Sequence, residues 1–233
     1  MREIVTSTSP TIARSVMSRI ALTFLTVCLL ATSSFAVPNL QLYIPGSDYN
    51  SETDTWWTSD QDFELWVVAA NLNHGAIYDI TLVSALLTDE PPLDGALTIT
   101  PEGGSGTTYN AANYTWGTPP PDDPIPGHGV FPTNYVEMHV ANVTTSGPFV
   151  MVQDYVPGGD AGISLYGQIF KFNVSTTYEY VHFDAYGYYD DPKGRRIFAP
   201  FSHDAETVVP EPGTMLLLGL GLAGVGVVRK LKR

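Results

Sequence analysis

Between residues 39 and 186 the apolar side chains fall at every second position in short runs, each closed by Gly, Pro, Asn or Asp. Leu40, Leu42 and Ile44 alternate with Asn39, Gln41 and Tyr43, and Ile77, Asp79, Thr81 and Val83 alternate with Tyr78, Ile80, Leu82 and Ser84. A period of two sends alternate side chains to opposite faces of an extended strand. Similar runs occupy residues 63–70, 97–100, 135–140, 149–153, 165–174 and 178–186, and no window carries a helical stripe a dozen residues long. Roughly eight short strands separated by turn residues predict an all-β chain, an antiparallel β-sandwich over residues 37–204. The 18 prolines, 21 glycines and 13 tyrosines suit strands joined by tight turns. A polar stretch over 101–132 reads as an ordered excursion across one end of the sandwich. Residues 205–209 read as a linker.

The two ends of the chain have a different character. Arg19 precedes an apolar run of 11 residues that ends at Leu30, and Ala31-Thr32-Ser33-Ser34-Phe35-Ala36 comes next. Small residues at Ser34 and Ala36 fit the pattern cut by signal peptidase, so residues 1–36 read as a signal peptide cleaved between Ala36 and Val37. Met17-Ser18-Arg19 would itself make a compact n-region, which offers Met17 as an alternative translation start. The single cysteine, Cys28, falls in this segment. The mature domain is then free of disulfides, which favours a bacterial exported protein.

At the other end, Pro210, Glu211 and Pro212 precede an uncharged stretch over 214–228 and a basic stop of Arg229, Lys230, Lys232 and Arg233. As a helix that stretch spans about 22 Å, and snorkelling of Arg229 and Lys230 extends its reach toward the roughly 30 Å hydrocarbon core. The basic cluster would stay cytoplasmic and leave the domain outside. The three parts, over residues 210–233, resemble a PEP-CTERM sorting signal. That resemblance implies a Gram-negative exported protein anchored in the inner membrane by a single transmembrane helix. It also implies processing near Pro-Glu-Pro by an exosortase, with a final location at the cell surface or in the extracellular matrix.

A second resemblance covers most of the domain. Leu40-Gln41-Leu42-Tyr43-Ile44, Thr55-Trp56, Trp116-Gly117-Thr118-Pro119-Pro120, Gly127-His128-Gly129-Val130-Phe131-Pro132-Thr133, Val181-His182-Phe183-Asp184-Ala185-Tyr186 and Ala199-Pro200-Phe201-Ser202-His203-Asp204-Ala205 look like the choice-of-anchor N group. The resemblance implies a shared ectodomain fold at the cell surface and supplies no catalytic residues.

Charge narrows the partners. The net charge of −13 conceals a domain, residues 37–209, with four basic against 22 acidic residues and a formal charge of −18. Such a surface repels a phosphate backbone, so nucleic acid is excluded as a partner. Cations, basic surfaces and neutral glycans stay open.

Four groups of residues carry candidate chemistry. Ser202-His203-Asp204 has the residue types of a hydrolytic triad, but neighbours on an extended chain point apart, and a triad needs convergence from separate segments. They read as a hydrogen-bonded closure of the domain. His182 and Asp184 share one face of a strand and could converge on a metal with His203 or Asp204, although a structural hydrogen-bond cluster is the preferred reading. Asp48, Asn50, Glu52 and Asp54 place oxygen ligands at alternate positions of a loop and are calcium candidates, against ordinary Asx-turn chemistry. No other cofactor is expected. Trp56, Trp57 and Trp116 read as loop tryptophans that could stack on sugar rings, and Trp66 reads as core. The sequence thus predicts a non-enzymatic surface or matrix protein served by signal peptidase and exosortase. The alternative is a glycan-binding module associated with exopolysaccharide.

Overall fold

A computed structural model describes residues 38–209 apart from 71–75, 93, 123, 126–128, 144–148, 159–164 and 190–192. The signal cleavage site Ala36–Val37, the Pro210–Pro212 motif, the proposed span over 214–228 and the basic tail lie outside the described residues. Among the described residues no helix is long and apolar enough to cross a membrane.

The described residues form fourteen strands: β1 (Leu40–Tyr43), β2 (Asp48–Asn50), β3 (Thr55–Thr58), β4 (Asp62–Ala70), β5 (Ile77–Leu86), β6 (Ala96–Pro101), β7 (Thr107–Asn110), β8 (Thr115–Gly117), β9 (Thr133–Val143), β10 (Val150–Val152), β11 (Leu165–Thr176), β12 (Tyr180–Tyr189), β13 (Arg196–Phe198) and β14 (Asp204–Val208). They build two sheets. The first has six strands in the order β1-β4-β11-β6-β7, with β10 beside β11. The second has eight, in the order β2-β3-β14-β12-β5-β9-β8, with β13 beside β12. All pairings are antiparallel except β3–β14, which is parallel, so the sandwich is mixed rather than wholly antiparallel.

The alternation seen in the sequence becomes the inter-sheet core. Leu42, Leu65, Val67, Leu97 and Phe172 from the first sheet meet Ile80, Leu82, Leu86, Val181 and Phe183 from the second in one buried cluster. Phe183 is fully buried, with its ring edge-on to Phe63 at 6.0 Å. Polar alternates are thereby sent to the outer faces. At Asp79 the backbone turns left-handed (φ 51°) and the β5–β9 register shifts between Ile77 and Ile80. Its amide donates to Asn142 Oδ1 at 2.7 Å, which replaces the ladder bond the bulge breaks.

Two features depart from the sequence reading. Residues 205–208, expected as a linker, belong to strand β14, which lies between β12 and β3, with Ala205 and Thr207 fully buried. The signal for this is the alternation of Ala205 and Thr207 against Asp204 and Glu206, which four residues alone do not separate from a loop. The polar excursion over 101–132 contains β7, a 3-10 turn (Ala111–Asn113) and β8. It then folds back so that Ile125, Val130 and Phe131 pack on Val83, Ala85, Tyr135 and Tyr186 on the outer face of the second sheet.

Phe183→Ala should cost about 3–5 kcal/mol in chemical denaturation, because a ring-sized cavity opens between two sheets that cannot both collapse onto it. The exposed control Glu102→Ala should stay within about 0.5 kcal/mol. Equal midpoints for the two would remove Phe183 from the core.

Candidate functional site

Strand β12 carries the densest chemistry. One edge pairs with β5 along its length, while the other pairs with β14 through Tyr180–Phe183 and with β13 through Tyr186–Tyr188. Asp184 sits where the partner changes. Since Phe183 and Ala205 point into the core, the flanking His182, Asp184, Asp204 and Glu206 share the outer face, and all four are buried.

His182 Nε2 lies 3.3 Å from Asp184 Oδ2 and 3.7 Å from Asp204 Oδ2, while Nδ1 faces Glu206 Oε2 at 3.9 Å. Glu206 Oε2 in turn accepts from Tyr180 Oη at 2.8 Å. Burial alone would hold His182 neutral. The charge of Asp184 and the bonds offered by Asp184, Asp204 and Glu206 outweigh it and raise the imidazole well above its usual value. Burial, then the Asp184 charge, push Asp204 well above the carboxylate range. Glu206 is held below that range: burial opposes ionisation, but the bonds from His182 and Tyr180 prevail. Among the described residues, His182, Asp184 and Asp204 are the one group of three or more His, Cys, Asp or Glu whose ligand atoms all lie within 4.8 Å of one another. The sequence points to His182 and Asp184 by their i, i+2 spacing and offers His203 or Asp204 as a third member, and the β12–β14 pairing brings in Asp204 and not His203.

A second histidine is arranged differently. Ser202 and His203 lie on a 3-10 turn (Phe201–His203), not on extended chain as expected. The tighter backbone brings Ser202 Oγ to 2.8 Å from His203 Nδ1. His203 Nε2 meets Asp154 Oδ1 at 2.6 Å. The acid partner is therefore Asp154, which comes from the segment after β10, and not Asp204. Burial pushes the His203 imidazole below its usual value against the pull of Asp154. A hydroxyl, an imidazole and a carboxylate in line are parts of a nucleophile relay. The imidazole and carboxylate are buried, however, and a concavity of about 500 Å³ is lined by other residues, among them Leu86, Pro92, Asp94 and Tyr178.

The calcium candidates do not gather. Asp48 and Asn50 belong to β2 rather than a loop, and Asn50 Oδ1 accepts from the Glu52 amide at 2.9 Å, an Asx turn. Asp54 closes that turn at φ 54°. Among the described residues, Asp48, Glu52 and Asp54 are not a second group of converging ligand atoms. Trp56 and Trp57, expected in a loop, lie on β3, because Thr55–Thr58 pairs with both β2 and β14. Trp56 is half-buried, edge-on to Tyr43 at 4.9 Å and to Tyr49 at 5.2 Å, and its indole donates to the Tyr155 carbonyl at 2.6 Å. Trp57 is also half-buried. Trp116 lies on the edge strand β8 with 53% of its surface exposed. Trp66, expected in the core, is half-buried outside it, with Lys171 Nζ 4.9 Å over its ring. His139 stands exposed on β9, and His74 and His128 lie outside the described residues.

Comparison with known proteins adds the C-terminal signal. The family model for the PEP-CTERM protein-sorting motif matches residues 208–230. The class is thus an exported β-sandwich protein with an exosortase-type sorting signal behind its last strand. No curated protein matches the chain. Among solved structures it is similar to AvmM, described as catalysing macrocyclization in alchivemycin A biosynthesis (16% identity, 78% of this chain and 95% of that one, TM-score 0.30). It is also similar to the collagen-binding domain of a Staphylococcus aureus adhesin (9%, 75% and 99%, 0.24) and to the collagen-binding subdomain of the Enterococcus faecalis surface protein ACE (6%, 75% and 99%, 0.24). At these scores the likenesses carry no argument about this chain.

Buried and half-buried phenols set the alkaline behaviour of the domain. Burial first, then Asp54, Asp154 and Asp204, push Tyr49 up to about 12, and burial raises Tyr114, Tyr180 and Tyr186 further. A raised pKa stabilises the fold fully below the unfolded value of about 10, and that stability is lost as pH rises through about 12. Near-ultraviolet titration should therefore show Tyr49, Tyr114, Tyr180 and Tyr186 resisting ionisation at pH 10 while circular dichroism stays intact. Complete ionisation at pH 10 in a folded chain would contradict the buried placement.

Proposed function

We propose that the chain is a non-enzymatic surface or extracellular-matrix protein of a Gram-negative cell. The observation that carries this reading is the position of the sorting motif. The match begins at Val208, the last residue of β14, and the Val209 amide still donates to the Glu179 carbonyl at 2.7 Å. The folded domain therefore runs up to the residue before Pro210, and the segment from Pro210 onward serves as an address. Signal peptidase would free the domain at Val37, the span over 214–228 would hold it at the inner membrane, and exosortase would act near Pro-Glu-Pro. The acidic ectodomain, its likeness to the choice-of-anchor N group and the burial of both histidine clusters support a display role over catalysis.

Replacing Pro210, Glu211 and Pro212 by alanine should leave export intact and trap the uncut chain at the inner membrane, read by cell fractionation and mass spectrometry of the C-terminus. The prolines hold the motif extended outside the bilayer where a protease can read it. Normal processing of the mutant would reduce the tail to a plain membrane span.

A second reading, a glycan-binding module associated with exopolysaccharide, is favoured by one observation: the open indole of Trp116 on an edge strand. Under that reading Trp116→Ala should weaken retention on the host polysaccharide about tenfold, the worth of one stacked ring at about 1.4 kcal/mol. Trp57→Ala should act less, because its ring is half-covered. Absence of retention by the unaltered protein on a glycan array would leave the display role alone.

A further inference from the structure

Strands β12 and β14 hold an imidazole and two carboxylates together on a buried face, 1–4% exposed at their side chains. We propose that His182, Asp184 and Asp204 form a structural site for a divalent cation of the zinc type, which staples β14 to β12.

The spacing is the first argument. Ligands at about 2.0–2.2 Å from a tetrahedral zinc lie roughly 3.3–3.6 Å from one another. The two contacts of His182 Nε2 are 3.3 Å, within that range, and 3.7 Å, about 0.1 Å beyond it, and all three ligand atoms lie within 4.8 Å of one another.

The orientation of the ring is the second. Nε2 is turned to both aspartates, and Nδ1 faces a different carboxylate, Glu206, which Tyr180 fixes at 2.8 Å. Metal-binding imidazoles are oriented in this manner: one nitrogen ligates, and an outer carboxylate receives the other nitrogen and is itself hydrogen-bonded.

Charge is the third. Asp184 and Asp204 meet in a region of low dielectric, where two carboxylates repel strongly. A dication cancels both and leaves Glu206 to balance the polarised imidazole. One nitrogen and two oxygen donors suit a first-row cation, while calcium takes six to eight oxygens. Three protein donors leave a fourth position, which a water would fill, and the burial of all three donors favours a structural role for the ion.

The test uses the full chain, purified without a histidine tag, stripped by chelator and dialysed. Zinc chloride should bind at one equivalent by calorimetry and elemental analysis and raise the melting temperature, while calcium and magnesium at matched ionic strength should not. His182→Gln and Asp184→Asn should each lower zinc affinity about tenfold or more, and Glu206→Gln should lower it less, as an outer carboxylate does. If the ligand variants fail to fold, cobalt added to the stripped wild-type chain gives the same answer, through the visible bands of a tetrahedral N/O site that zinc then displaces. Substoichiometric zinc together with equal melting in zinc and in chelator would overturn the proposal. Undiminished zinc binding by a folded His182→Gln would do so as well, as would a wild-type chain without cobalt bands.

Discussion

The fold turns on one junction, the middle of β12, where a buried strand changes neighbours. From Tyr180 to Phe183 its outer edge belongs to β14, and from Tyr186 to Tyr188 to β13, with the Ala199 amide bridging to the Ala185 carbonyl at 2.8 Å between them. A strand that loses a partner in the interior leaves backbone groups to satisfy and side chains with no cross-strand neighbour. Here the gap is lined by His182, Asp184 and Asp204, and a 3-10 turn over Phe201–His203 leads the chain back into the sheet. The first sheet repeats the device: β11 pairs with β10 at its start and with β6 at its end. Two long central strands, joined by residues 177–179, are thus each clasped by two short ones.

Each outer face is covered in part, by segments that look like loop in the sequence. On the first sheet, the buried Gln41 side chain donates to the Gln153 carbonyl at 2.9 Å and accepts from the Tyr155 amide at 3.1 Å. Tyr155 then stacks on Tyr43 at 4.7 Å, and its carbonyl takes the Trp56 indole. The same short strap delivers Asp154 to His203. On the second sheet the excursion over 101–132 does the covering with Ile125 and Phe131. With four basic residues over 37–209, ion pairs tie down only part of the loops: Arg196 holds Asp122 of the excursion at 3.0 Å, and aromatic rings and side-chain amides supply further ties.

The central strands β4, β5, β9, β11 and β12 are legible in the sequence because each runs long enough for a period of two to repeat several times. Of the strands of three or four residues, β1 and β10 are read from the runs at 39–44 and 149–153, whereas β2, β3, β7, β8 and β13 are not, since so short a run of alternation does not stand apart from a turn. That is why Trp56, Trp57 and Trp116 look like loop residues in the sequence. The candidate site divides along the same line. His182 and Asp184 are two residues apart on one strand, so their convergence is local and can be read. Asp204 joins them through a strand pairing, and Asp154 reaches His203 across 49 residues of chain. Contacts of that range are decided by topology, which periodicity does not encode.

Strand β14 has a mechanical consequence. It lies inside the sheet, antiparallel to β12 on one side and parallel to β3 on the other, and it is the last described strand, ending where the sorting-motif match begins. A domain tethered by its C-terminus and dragged by flow or by a neighbouring cell would feel the load along the axis of this strand. The hydrogen bonds on both sides lie across that axis, so they would be strained together in shear and not peeled open one after another. A terminal strand on the sheet edge would have to rely on one row of bonds. Placed beside the central strand, β14 would spread such a pull over two, which would make a C-terminal tether of the proposed kind one of the firmest places by which the sandwich can be held.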